Sequence, residues 1–454
     1  MDQSIEQLSS YAVSLDYADI PPEVVHECKR RLVDTLGCAM GAFTAEPSKI
    51  ARSIARRSMG NPSARILGTQ ERSSPELAAF ANGVMVRYLD FNDQYRRSKS
   101  GGHPSETVAA VLAIADALHA DGKKVITAVT LAYEVFCNFS EVLHFTKKGF
   151  DDATAGTFAS AVGAGKILGL SPEAMGHAIA LSIIPNMALW ETRRGELSMW
   201  KGCAAGNACR NGIFASLLAQ AGLTGPPNAI EGKEGGLWNL MGPFKWEPFG
   251  GRGGPFRIGS TNLKYFPSEY YSQAAISAAL ELRDKVKIDE IDSITVETHR
   301  LAWNAIGKEA EKWHPTTRET ADHSLPYIVA AALIDGTIEP ATFSEERIRD
   351  LQLRELIQKV TVRENPEFTA QFPSSLPCRI EVVTRGGESQ TTIVTYPRGH
   401  AKNPMTDTEV EDKFRRLCIG VLTPQQTGAI LESLWTLEKA DDVGQVLALF
   451  AVPQ

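Results

Sequence analysis

The sequence has no surplus of positive charge, no CxxC pair and no unbroken apolar run of bilayer-spanning length. Lys and Arg number 47 against 54 Asp and Glu, a formal net charge of -7. A nucleic-acid footprint needs a basic face, so no nucleic-acid partner is expected. A membrane-spanning helix needs about 20 predominantly apolar residues, so no membrane association is expected. The opening residues MDQSIEQLSSYAVSLDYADI lack the basic and apolar regions of a secretory leader. Seven cysteines without metal-ligand spacing lead to the expectation of a reduced, cytoplasmic protein with no metal.

Nucleotide motifs are missing too. GAGKILG (163–169) has Ser160 and Ile167 where a phosphate-binding loop needs Gly and Ser or Thr. GGRGG (250–254) lacks the strand–turn–helix setting of a dinucleotide fingerprint. GxSxG is absent, which argues against an α/β-hydrolase. No cofactor is expected.

What is present reads as mainly helical. At 454 residues the chain exceeds one ordinary core, so two domains are the default. The segment IPPEVVHECKRRLVDTLGCAMGA repeats apolar residues at Val24, Cys28, Leu32 and Leu36 behind a proline start. Further Ala- and Gly-rich segments up to about residue 220 predict close-packed, buried helices. Residues 225–262 are too rich in Gly, Pro and Trp for regular helix, and a connection of that length is usually functional or a boundary. Beyond it, IDSITVETHR alternates as a strand, SEERIRDLQLRELIQKV has helical periodicity, and CRIEVVTRGGESQTTIVTY reads as a hairpin around RGGE. After residue 404 helices return; TDTEVEDKFRRL offers Thr406, Asp407 or Thr408 as its cap.

Four polar groupings stand out. The connection LDFNDQYRRSKSGGHPSETV holds Asp90, Asn92, Asp93 and His103. Arg193, Arg194 and Lys201 precede the small-residue run GCAAGNA, while Lys264, Glu269 and Gln273 share NLKYFPSEYYSQ. His314 and His323 lead into a later helix. Lysines and arginines hold carboxylates, and a His or Asp can move a proton from the adjacent carbon. The resulting dianion would be stabilised by cationic side chains and amide dipoles. Dehydration, decarboxylation and epimerisation all branch from that species.

Together LDFND…GHPSE, MWKGCAAGNACRNG, LKYFPSEYYSQ, TRETADHSLPYIV and GHAKNPMTDTEVEDKFRRL resemble the MmgE/PrpD family, in order along essentially the whole chain. The resemblance implies a cofactor-independent homodimer acting on a di- or tricarboxylate. It implies a large all-helical domain, 1–266 rejoined by 405–454, and a smaller α+β lid domain, 267–404, with the active site between them. It places the family's first motif aspartate on Asp90 and the polar residues after it on Asn92 and Asp93. The candidate proton-transfer histidine falls on His103, and the two lysines on Lys201 and Lys264. Substrate contacts are then expected from Asn92, Gln94, Arg193, Arg194, Glu269 and His323. Dehydration of 2-methylcitrate or citrate is the expected reaction; epimerisation or decarboxylation of a related acid, and a non-catalytic carboxylate binder, are the alternatives. The decarboxylase branch has a histidine near Phe150 or Asp151 and another at Glu269, both missing here. The dehydratase branch has Thr at Gln94 and His at Tyr271, so substrate contacts are altered. The cations Arg96, Arg97 and Lys99 read either as a solvated bulge or as a substrate selector.

Overall fold

A computed structural model describes residues 1–96 and 99–453. The chain is mostly helical, with one four-stranded mixed sheet among its described residues. Proline sets the start of several helices, including Pro22–Gly41 and Pro75–Tyr88, where its missing N–H costs nothing and its fixed φ suits the first turn. Thr406 caps Asp407–Cys418 by a reciprocal bond with Glu409.

The Ala- and Gly-rich helices pack as their composition predicts. A β-carbon on Gly206 of Trp200–Gln220 would sit 2.5 Å from the carbonyl oxygen of Phe80 in Pro75–Tyr88. Glycine therefore allows the two backbones to touch, which fixes Lys201 one turn earlier against the end of the Pro75 helix. Gly122–Val142 is the one helix among the described residues long and apolar enough to cross a membrane by length and composition. Its apolar window is 94% buried inside the protein, where it serves as a core helix.

The Gly/Pro/Trp-rich segment does lack long helix, holding only Leu237–Met241 and a short turn at Arg257–Ser260. It is a packed strap. Phe244 and Trp246 meet Phe139 edge-on, and the Trp246 indole donates to the Ser4 carbonyl at 2.9 Å. Aromatic burial there replaces the helical hydrogen bonds that Gly and Pro forgo.

Buried apolar residues form two large clusters. One gathers side chains from Ile5 to Leu263 and from Met405 to Phe450, the other from Phe266 to Val382. The second is built on a sheet ordered Val360–Glu364, Ile291–Thr298, Cys378–Thr384, Ser389–Val394; the first pair is parallel and the rest antiparallel. The hairpin and the IDSITVET strand match the sequence reading. The helix expected over SEERIRDLQLRELIQKV is instead two short ones, Glu345–Ile348 and Leu351–Ile357. Asp350 interrupts them by capping the second through Leu353 N at 2.8 Å. The chain then enters the parallel strand Val360–Glu364, which the sequence reading missed.

Candidate active site

The polar connection after the Pro75 helix is ordered by its own side chains. Asp90 takes a left-handed backbone, φ +52°, which turns the chain inward. Asp93 accepts from Ser105 N at 3.1 Å, and the Asn92 amide donates to Ser105 Oγ at 2.9 Å. Gln94 exchanges backbone bonds with Asn262 at 2.8 and 2.7 Å, tying this connection to the residues just before Lys264. Tyr95–Arg96 pairs with Gly101–Gly102. A β-carbon on Gly102 would lie 2.3 Å from Asp152 Oδ2 and 2.7 Å from its Cβ, so glycine is what admits Asp152 against the residue preceding His103.

A cavity of about 510 Å³ opens on this connection. Asp90, Gln94, His103, Lys264, Glu269 and His323 line it, as do Arg193 and Arg194. Asn92, Asp93 and Lys201 are not among its lining. They are buried next to the residues that do line it. Of the cationic insert, Arg96 and Lys99 line the cavity; Arg96 faces the Tyr271 ring at 5.3 Å and Lys99 donates to Val142 O at 3.3 Å. Arg97 lies outside the described residues.

Asp90 is the electrostatic hub. It accepts from Arg87 Nη1 at 2.6 Å and Lys264 Nζ at 2.5 Å, and Lys201 Nζ stands 3.1 Å from its other oxygen. Burial opposes ionisation, yet Arg87, Lys201 and Lys264 hold the carboxyl well below its usual range. Lys201 also contacts Asp322 at 3.1 Å, and Arg318 reaches the same carboxylate at 3.2 Å. Against the cost of burial, Lys201 and His323 keep Asp322 near 2. Asp90, Asp322 and His323 are the one His/carboxylate grouping with metal-like spacing among the described residues. The Lys201 ammonium bridges its two carboxylates.

His103 is held at both ring nitrogens. Nδ1 donates to the Asp93 carbonyl oxygen at 2.6 Å, and Nε2 accepts from Arg87 Nη2 at 3.0 Å. Those partners assign the neutral tautomer, and burial, with Arg87 and Lys264 nearby, keeps it neutral by pushing its pKa far down. Asp93 thus orients His103 through its main chain. His323 donates from Nδ1 to Asp322 at 2.5 Å; burial and Lys201 lower it to about 4.

Four carboxyls of the site are shifted the other way, Asp93 among them through its burial. Burial raises Glu269 to about 7, and its Oε2 accepts from Tyr271 N at 2.7 Å. Burial and Asp151 raise Asp152 to about 6; burial and Asp152 raise Glu106 to about 8. Arg193 is bound to Asp151 at 2.7 Å, and exposed Arg194 to Glu309 at 3.1 Å. Arg87, Asp152 and Asp322 were not singled out in the sequence. Arg87 sits one helical turn before Asp90, and DD at 151–152 and DH at 322–323 are adjacent pairs. Lys413 escaped notice as well: it donates to the carbonyls of Phe91 and Lys264 at 2.7 and 2.8 Å and pairs with Asp34 at 2.6 Å.

Comparison with known proteins matches both halves of the chain. The MmgE/PrpD N-terminal domain matches residues 6–248 and the MmgE/PrpD C-terminal domain residues 266–437. The chain is 28% identical to the 2-methylcitrate dehydratase of Salmonella typhimurium, over 88% of this chain and 86% of that protein. It is 27% identical to the 2-methylcitrate dehydratase of Escherichia coli K12, over 95% and 93%. Identity to the cis-aconitate decarboxylase of Homo sapiens is also 27%, over 100% and 96%. A charge-lined cavity assembled from the motifs of both halves, and family matches covering both, lead to one conclusion: the chain belongs to the MmgE/PrpD family.

Proposed function

We propose that this chain is a hydro-lyase that dehydrates a hydroxy-tricarboxylate, either 2-methylcitrate to 2-methyl-cis-aconitate or citrate to cis-aconitate. The observation that carries the reading is a neutral His103 facing the same cavity as Lys264 and Arg87. His103 Nε2 takes the proton from the carbon next to a substrate carboxylate. A carboxylate that draws Arg87 toward itself frees that nitrogen, and Arg87 with Lys264 offsets the charge that develops. Lys201 acts from behind, neutralising Asp90 and Asp322. The dehydratases among the relatives support the elimination outcome.

The same proposal divides the chain into a helical domain, 1–266 with 405–454, and an α+β lid, 267–404. The separate apolar clusters support it, and Arg194–Glu309 and Thr316–Glu196, the latter at 3.3 Å, link the two parts. A homodimer is proposed with it from the family membership; light scattering at twice the chain mass supports this and a monomer refutes it. Seven unpaired cysteines support a reducing, cytoplasmic setting.

The test is NMR of 2-methylcitrate, citrate, cis-aconitate and iminodisuccinate incubated with the protein. Loss of the hydroxyl-bearing carbon signal with a new alkene supports dehydration. Release of CO2 from cis-aconitate, or an inverted stereocentre without an alkene, replaces it with decarboxylation or epimerisation. No change in any of the four refutes the proposal.

A further inference from the structure

The base and the anchoring charges leave one step without a donor: a hydroxyl leaves readily only if it is protonated as the C–O bond breaks. Most carboxyls around the cavity are unsuited to giving a proton. Asp90 and Asp322 have ammonium or guanidinium groups on their oxygens, and Asp151 accepts from Arg193 Nε at 2.7 Å and from Ala153 N at 2.8 Å. On the cavity wall Glu309 is paired with Arg194 at 3.1 Å, and Glu269 is tied to its own turn by accepting from Tyr271 N at 2.7 Å. Glu106 is buried behind Arg87 and is not among the cavity's lining residues. Asp152 differs on each point. It lines the cavity with 15% of its side chain exposed, and Arg193 comes no closer than 3.7 Å. Although it stands at the N-cap of Ala153–Ile167, its side chain makes no capping bond. Its carboxyl rests on Gly102, in the space a β-carbon would take, and His103, the next residue, lines the same cavity.

We propose, on the dehydratase reading above, that Asp152 is the catalytic acid that protonates the departing hydroxyl. The C–H bond breaks with its proton going to His103 Nε2. The C–O bond breaks as the hydroxyl takes the Asp152 proton, the electron pair of the C–H bond becomes the alkene, and water leaves. His103 ends protonated and Asp152 ionised, and one proton passed through solvent restores both. The groups facing Asp152 set its readiness. Asp151 disfavours its ionised form, while Arg193 and Arg87 favour it; Asp152 in turn raises Glu106, and Tyr271 stands at the same cavity wall. The balance leaves it near 6, where a carboxylic acid can both hold and release a proton at neutral pH.

Asp152→Asn keeps the shape and removes the transferable proton. Elimination from 2-methylcitrate or citrate is expected to fall by about 10²-fold or more. Exchange of the α-proton of tricarballylate in heavy water is expected to persist, because that acid has no hydroxyl to lose and needs only His103. Equal loss of exchange and elimination overturns the proposal, as does unaltered elimination. If wild-type protein neither exchanges nor eliminates, the dehydratase reading itself fails. The acid role is then decided by infrared difference spectra between pH 5 and pH 8: loss of one protonated-carboxyl band in Asp152→Asn supports it, and an unchanged spectrum overturns it.

Discussion

Lys201 offers the sharpest perturbation, because the structure gives it two carboxylate partners and no place on the cavity wall. Its ammonium lies 3.1 Å from Asp90 and 3.1 Å from Asp322, with all three side chains almost wholly buried. At that separation a unit-charge contact is worth roughly 5 kcal/mol with an effective dielectric constant near 20, set against several kcal/mol of desolvation per ion. Lys201→Met leaves Asp90 to Arg87 and Lys264 and leaves Asp322 to Arg318 and His323, and removing one partner of a buried pair costs up to about 3–5 kcal/mol. Urea unfolding at pH 7 measures it. Adding Asp322→Asn removes the carboxylate that loses most of its compensation, so the double variant should be more stable than Lys201→Met alone. With the lysine gone, Asp322 rises from its value near 2, so the deficit should shrink as pH falls and that carboxyl protonates. In steady-state kinetics kcat should fall much more than KM rises, since Lys201 shapes Asp90 without meeting the substrate. A cost below about 1 kcal/mol, or a deficit indifferent to Asp322→Asn, would refute the account of Lys201 as an internal counter-ion.

Lys413→Met should destabilise by a similar margin, about 3–5 kcal/mol. It leaves Asp34 unpaired and frees the carbonyls of Phe91 and Lys264; Asp34→Asn in the same chain should recover part of the loss in a urea titration. Stability should peak between about pH 4.5 and pH 6.5. On the acid side His323, near 4 in the fold, resists protons that the unfolded chain accepts from about 6.5 downward, and Asp322 loses its advantage as pH falls toward 2. On the alkaline side Glu269 and Glu106 hold protons to about 7 and 8, so stability falls as pH rises through those values. Thermal melts from pH 4 to 8 check this, and Glu269→Gln should flatten the alkaline limb.

Much of the architecture was legible because it rests on local chemistry. Proline starts, the Thr406 cap, the RGGE hairpin and the small-residue helices each follow from a short window. The strand Val360–Glu364 was not legible, since a short helix runs into it and only pairing with Ile291–Thr298 marks its end of the window as extended. At the site, residue types were legible and allegiances were not. LDFND showed that acids gather there, but not that Asp90 faces the cavity while Asn92 and Asp93 fold the connection. Lys201 looked ready for a substrate anion; its partner Asp322 is 121 residues away. Nor did SGGH show that Gly102 is packed against Asp152.

The central claim is that His103 moves the α-proton of a hydroxy-tricarboxylate. Its most direct test is NMR of 2-methylcitrate with wild-type and His103→Gln protein in heavy water, at equal concentration. The account predicts deuterium at the α-carbon of recovered substrate together with 2-methyl-cis-aconitate for wild type, and neither for His103→Gln. Deuterium incorporation at the wild-type rate in His103→Gln would contradict it.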